Sequence, residues 1–178
     1  ILFRSWLRIL PAVAVQSLGF GFLAASFSQP PVAIAKTVVG WIAVALLAIT
    51  LAREPQELRI SEHRLLDFLF RASLLLLLLA SILALLPSLS GLFGNPPGGV
   101  GFASFFLFGA GIISLGLSEH PLRAAVGLLT LLQGFELGYL WMEQSLLVLA
   151  LLAITDLSVI LVFIALHAYS APPDAEVV

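Results

Sequence analysis

Six continuous apolar stretches run through this sequence, and they decide which solvent the chain can fold in. Windows of about 20 residues carry a helix across ~30 Å of hydrocarbon. Such windows fall at 8–27, 31–52, 67–87, 99–117, 121–142 and 144–169. Of the 178 residues, 61% are hydrophobic and 10% charged, where a soluble domain carries about a quarter charged residues. Such a surface would not be wetted. In hydrocarbon each backbone N–H and C=O must be paired inside the structure, which makes continuous apolar runs of this length helices. The expected fold class is all-α: a polytopic membrane protein with about six transmembrane helices, residues 1–178 forming a single integral-membrane helical domain.

Helix-breaking chemistry marks most of the boundaries. Gln29-Pro30-Pro31 separates the first two spans, with proline placed where a helix begins but cannot continue. Gly94-Asn95-Pro96-Pro97-Gly98-Gly99 is turn or loop, and Ser118-Glu119-His120-Pro121 reads as an N-cap region with proline at the first helical position. The break near Met142-Glu143-Gln144 has neither Gly nor Pro and rests on length, because 121–169 is too long for one span. Leu74 to Leu79, six leucines in a row, read as lipid-facing filler.

The cations set the orientation. Arg4 and Arg8 precede the first span, Arg53, Arg59, Arg64 and Arg71 lie in or beside the connector between spans two and three, and Arg123 opens span five. With six spans these seven share one face, and by the positive-inside rule both termini are expected to be cytoplasmic. The charged connector 53–66 and the polar tail after Ala171 are the soluble appendages, and neither is large enough for a catalytic domain.

The same inventory narrows function. A net charge of −2 argues against nucleic acid as a partner. The absence of Cys removes thiolate clusters, disulfides and thiol catalysis, and the three His lack metal-ligand spacing. No cofactor and no catalytic site are therefore expected in this chain. The expected partner is the lipid bilayer.

An ionised group at membrane depth costs at least ~2.5–3.5 kcal/mol, so each is a functional candidate. Lys36, Glu136 and Asp156 qualify. At ~1.5 Å per residue, Lys36 and Glu136 lie roughly 8–9 Å from the outer ends of their spans, while Asp156 lies about 18 Å deep. The matched depths permit a Lys36–Glu136 pair; the offset places Asp156 beyond direct contact with Glu136. Thr130, Gln133 and Glu136 recur every third residue as a polar stripe on span five. Asp156 and His167 are eleven residues apart and point nearly the same way. A proton path is expected along Lys36/Glu136, Gln133, Thr130/Asp156 and His167. Gly109, Gly111, Gly127, Gly134 and Gly138 read as helix-packing surfaces. They place span five among protein helices and favour contact with further subunits.

The chain resembles the hydrogenase-4 component E family, the small membrane subunit of hydrogenases related to respiratory complex I. Its C-terminal part is similar to the K-type subunit of complex I and the C-type subunit of multisubunit cation/proton antiporters. The resemblance runs through Ala14-Val15-Gln16-Ser17-Leu18, Ile34-Ala35-Lys36-Thr37-Val38-Val39, Pro121-Leu122-Arg123-Ala124-Ala125-Val126-Gly127-Leu128 and Ala153-Ile154-Thr155-Asp156-Leu157-Ser158-Val159-Ile160. Leu132 stands where the family's span-five carboxylate aligns, and Glu136 follows one turn later on the same face. The family also has a further helix ahead of the Gln-Ser segment, which this sequence does not include.

The resemblance implies a non-redox membrane-arm subunit of a complex-I-like, hydrogenase-type or antiporter-like assembly, with other membrane subunits of a hetero-oligomeric complex as partners and a prokaryotic inner membrane as its location. Such a subunit would contribute to proton or cation translocation within a membrane-bound oxidoreductase, with Lys36, the acidic position of span five and Asp156 on the path. Two alternatives are a structural scaffold subunit and a free-standing secondary transporter. The transporter predicts an inverted repeat around discontinuous helices, and residues 1–90 and 91–178 show no convincing repeat.

Overall fold

Proline sets where several helices begin. In the computed structural model, which describes residues 2–28, 30–52, 64–91, 94–118, 121–143 and 145–170, α1 runs Leu2–Ala25, α2 Pro30–Ala52 and α3 Arg64–Ser90. Three more follow: α4 Gly98–Gly116, α5 Pro121–Met142 and α6 Leu146–Ser170. Pro30 and Pro121 each occupy a first helical position, where the missing N–H costs nothing. The carbonyl of Pro97 accepts the first bonds of α4 from the N–H groups of Val100 and Gly101, at 2.8 and 3.2 Å. The turn ahead of it uses positive φ at Gly94 (70°) and Asn95 (52°), a region open to glycine and tolerated by asparagine.

Chain ends inside a bilayer need their backbone groups satisfied, and serine does this after α1. The N–H of Ser28 donates to the Ala24 carbonyl at 2.8 Å, its hydroxyl donates to the same oxygen at 2.7 Å, and the Ser26 hydroxyl donates to the Leu23 carbonyl at 2.6 Å. The break between α5 and α6 falls where length required it. Glu143 N–H closes α5 on the Tyr139 carbonyl at 2.9 Å, and Leu149 N–H opens α6 on the Ser145 carbonyl at 3.1 Å.

Among the described residues, five helices contain stretches long and apolar enough to cross a membrane: Pro30–Thr50, Phe68–Ser88, Gly99–Gly116, Arg123–Met142 and Leu147–Tyr169. The helix α1, Leu2–Ala25, is apolar along Leu10–Ala25. The described residues contain helices and no strand. The chain is an all-α, multi-pass membrane protein in contact with the bilayer. One boundary differs from expectation: α3 starts at Arg64, inside the stretch assigned to the connector 53–66, because a helix need not stop at the hydrocarbon edge. Residues 53–63 lie outside the described residues.

Four helices, α1, α2, α6 and α5, close into a ring in that order, α4 packs on α5, and α3 packs on α4. Burial follows this arrangement: 39% of the α5 span is buried but 6% of the α3 span. Leu75, Leu76 and Leu77 in the leucine run are exposed, as a lipid-facing segment requires. The α4–α5 contact is backbone on backbone. A Cβ at Gly134 would meet the Phe108 backbone and lie 2.8 Å from the Ser104 carbonyl oxygen; one at Gly127 would lie 2.8 Å from the Leu115 nitrogen. Ser104 then donates its hydroxyl across the seam to the Gly134 carbonyl at 2.7 Å. Gly109 receives Leu78 of α3, and Gly138 receives Ser104. These glycines bury α5 as expected, but they serve packing within the chain, so they supply no argument for further subunits.

The positive-inside orientation has a direct check, because the chain contains no Cys. Glu143→Cys, exposed beyond α5, is expected to react with a membrane-impermeant maleimide added outside intact cells. Gly116→Cys, exposed at the end of α4, is expected to react only after the inner face is opened. The reverse pattern would invert the topology.

Candidate functional site: a buried Lys–Glu–Asp cluster

Lys36, Glu136 and Asp156 each lie in register with the buried stripe of their helix. On α2 the inward positions are Val32, Ala33, Lys36, Gly40, Ala43 and Leu47; on α5 they include Ala125, Leu129, Glu136, Leu137 and Leu140; on α6 they are Leu149, Asp156 and Ile160. Spacings of three, four and seven residues keep one helical face. A charged residue at such a position must enter the ring interior along with its apolar neighbours.

There the three side chains meet. The Lys36 ammonium donates to Glu136 Oε1 and, at 3.1 Å, to Asp156 Oδ2. Residue exposures of 5%, 1% and 7% for Lys36, Glu136 and Asp156 leave none of them a route to bulk water as placed. Lys36 thus spans the ring from α2 to α5 and α6 at once. Asp156 Oδ1 is buried and has no hydrogen-bond partner.

The contact between Asp156 and the Lys36 group corrects the expected axial offset. Counting rise from the ends of spans placed Asp156 too deep: α6 starts at Leu146, so Asp156 is about 15 Å along it. The remaining difference is absorbed by the flexible four-carbon stem of Lys36, which carries its charge away from its own helical level. Both carboxylates therefore reach one ammonium.

The other two members of the α5 stripe turn elsewhere. Gln133 accepts a hydrogen bond from Gln16 Nε2 at 2.8 Å and donates to Ser17 Oγ at 3.4 Å, both on α1. Ser17 fits because its neighbour on α2 is Gly40, where a Cβ would come 2.6 Å from Ser17 Oγ. Thr130 donates to the carbonyl of Val126 at 2.9 Å within its own helix. His167 is half-buried near the end of α6, about 17 Å along the helix from Asp156. The structure thus joins Lys36, Glu136 and Asp156 directly and brings Gln133 to α1, while Thr130 and His167 stand apart from the cluster. Gln16 and Ser17 were not among the candidate site residues. Their signal was available, since two adjacent polar residues interrupt the apolar span of α1.

Apolar layers enclose the cluster on both sides. One consists of Phe20, Ala24, Val32, Ala33, Val100, Leu137, Leu140 and Leu149, toward the α1–α2 and α5–α6 turns. The other consists of Ala43, Leu47, Ala125, Leu129 and Ile160, toward the opposite ends of the same helices. Three charges at the centre of a dry ring are expensive, and their mutual attraction repays the desolvation only in part. Fully ionised, the group carries two negative charges and one positive; a single added proton makes it neutral.

No family model matches the chain, and no curated protein or solved structure matches it. Fold and site define it as a multi-pass helical membrane protein with Lys36 buried in ion pairs to Glu136 and Asp156.

Proposed function

We propose that this chain is a non-redox membrane subunit that moves protons, or another small cation, through its buried cluster. We place it in a complex-I-like, hydrogenase-type or antiporter-like assembly of a prokaryotic inner membrane. The observation that carries the proposal is the meeting of Lys36, Glu136 and Asp156 from three helices between two apolar layers. Intramembrane ionisable residues that pair with each other in a bundle interior mark proton and ion paths. A cluster one proton from neutrality can be loaded and unloaded by a modest change in nearby electrostatics. The assembly rests on the resemblance to hydrogenase-4 component E, and the electron carriers are assigned to partner subunits. The helices that carry the cluster, α2, α5 and α6, are each unbroken across it, which weighs against a transporter built on discontinuous helices.

The test has two arms. The chain is purified from its native membrane under mild detergent and its co-purifying subunits are identified; a hydrogenase, quinone-reducing or antiporter module is the expected company. In that assembly, Glu136→Gln and Asp156→Asn are each expected to abolish proton translocation while the assembly remains intact. Unchanged translocation in both variants would leave the scaffold reading in its place.

A further inference from the structure

The two carboxylates of the cluster are not equivalent. Glu136 is the more deeply buried and pairs with Lys36 through Oε1. Asp156 holds Lys36 through Oδ2 at 3.1 Å, and its other oxygen, Oδ1, is buried without a hydrogen-bond partner. A buried acceptor with no partner is an unusual feature of a folded protein and calls for an explanation. The groups facing Asp156 across the ring are Lys36 from α2 and Glu136 from α5. The nearest polar contribution of α1, Gln16 and Ser17, is uncharged and engaged with Gln133.

We propose that Asp156 takes the proton that neutralises the cluster, at Oδ1, and that Glu136 stays ionised as the standing counter-ion of Lys36. The step balances simply. A hydronium ion gives one proton to Oδ1 and leaves as water, and the aspartate becomes a neutral acid. Oδ2 continues to accept from Lys36, so loading breaks no existing hydrogen bond. A proton on Glu136 Oε1, the oxygen that Lys36 holds, would disrupt that ion pair, whereas Asp156 Oδ1 is the carboxylate oxygen that is buried without a partner among the described residues. With Asp156 neutral, Lys36 and Glu136 remain as a pair of zero net charge, the state a dry interior favours.

This inference deepens the translocation reading by naming the carrier atom, and it can be read without measuring transport. The full chain is reconstituted in lipid at neutral pH and examined by infrared spectroscopy, where a buried carboxylic acid gives a C=O band distinct from those of ionised carboxylates. Water-exposed carboxyls are ionised at that pH. Carboxyl-¹³C aspartate labelling of the wild-type chain is expected to shift the acid band, and ¹³C glutamate labelling is expected to leave it in place. Asp156→Asn is expected to remove the band, which separates Asp156 from Asp67 and Asp174. A band that moves with the glutamate label overturns the assignment, and so does the absence of any acid band. An aspartate band in a chain whose Asp156→Asn variant still translocates would instead overturn the translocation reading and leave this assignment standing.

Discussion

Lys36→Met is expected to remove about 3–5 kcal/mol of stability, the usual cost of breaking a buried ion pair from one side. The substitution keeps the length of the side chain, so the loss arises from charge. Glu136 and Asp156 would be left facing each other with no cation between them, in a ring sealed by Leu47 on one side and Leu137 on the other. Denaturation in mixed detergent micelles, followed by helicity, measures the loss. The informative comparison is the triple variant Lys36→Met, Glu136→Gln, Asp156→Asn, which removes all three charges and keeps their volumes. Replacing a complete buried ion cluster is often neutral or stabilising by about 1–4 kcal/mol, so the triple variant is expected to recover most of what the single one loses. That pattern would mean that the cluster is not retained for stability. A triple variant less stable than Lys36→Met would assign the cluster a structural role.

Most of the fold can be read from the sequence because lipid imposes one strong rule: a helix of a given length must be apolar throughout. Pro30, Pro121 and the Gly94-Asn95 turn fall at helix boundaries for local reasons that hold without any tertiary context. The break before α6 was reached by length alone, although Ser145 stands there as a residue type that favours helix starts. Packing was less legible. Gly134 and Gly127 declare close helix approach, but the sequence does not say whether the approaching helix belongs to the same chain; the answer is α4. The site was partly legible for a similar reason. Depth along a helix is one-dimensional, and it paired Lys36 with Glu136. Asp156 was misplaced because lateral neighbours and the reach of a lysine stem are not written in residue spacing. Its position on the stripe puts Gln133 on a path between Glu136 and Thr130, yet Gln16 and Ser17 hold it toward α1.

The second large effect concerns the apolar layers, and it is expected to be strongly non-additive. A proton reaching the cluster must cross one layer, and leaving on the far side requires crossing the other. Leu137 and Leu47 are the largest side chains fully buried within the two layers. Leu137→Ser or Leu47→Ser alone admits water on one side and leaves the opposite barrier intact, so each single variant is expected to leak little more than wild type. The double variant breaches both barriers. It is expected to raise passive proton leak in proteoliposomes by at least about tenfold, which corresponds to about 1.4 kcal/mol off the rate-limiting barrier. Each substitution also costs stability, about 2–5 kcal/mol if it behaves like a Leu→Ala truncation, so the flux is normalised to folded protein. The decisive control adds Asp156→Asn to the leaking double variant. If protons pass through the cluster, the leak falls back toward the wild-type level, because water on either side no longer meets a group that can carry the charge across. A leak indifferent to Asp156 would mean that water threads the ring without using the cluster, and the ion pairs would then be packing and nothing more.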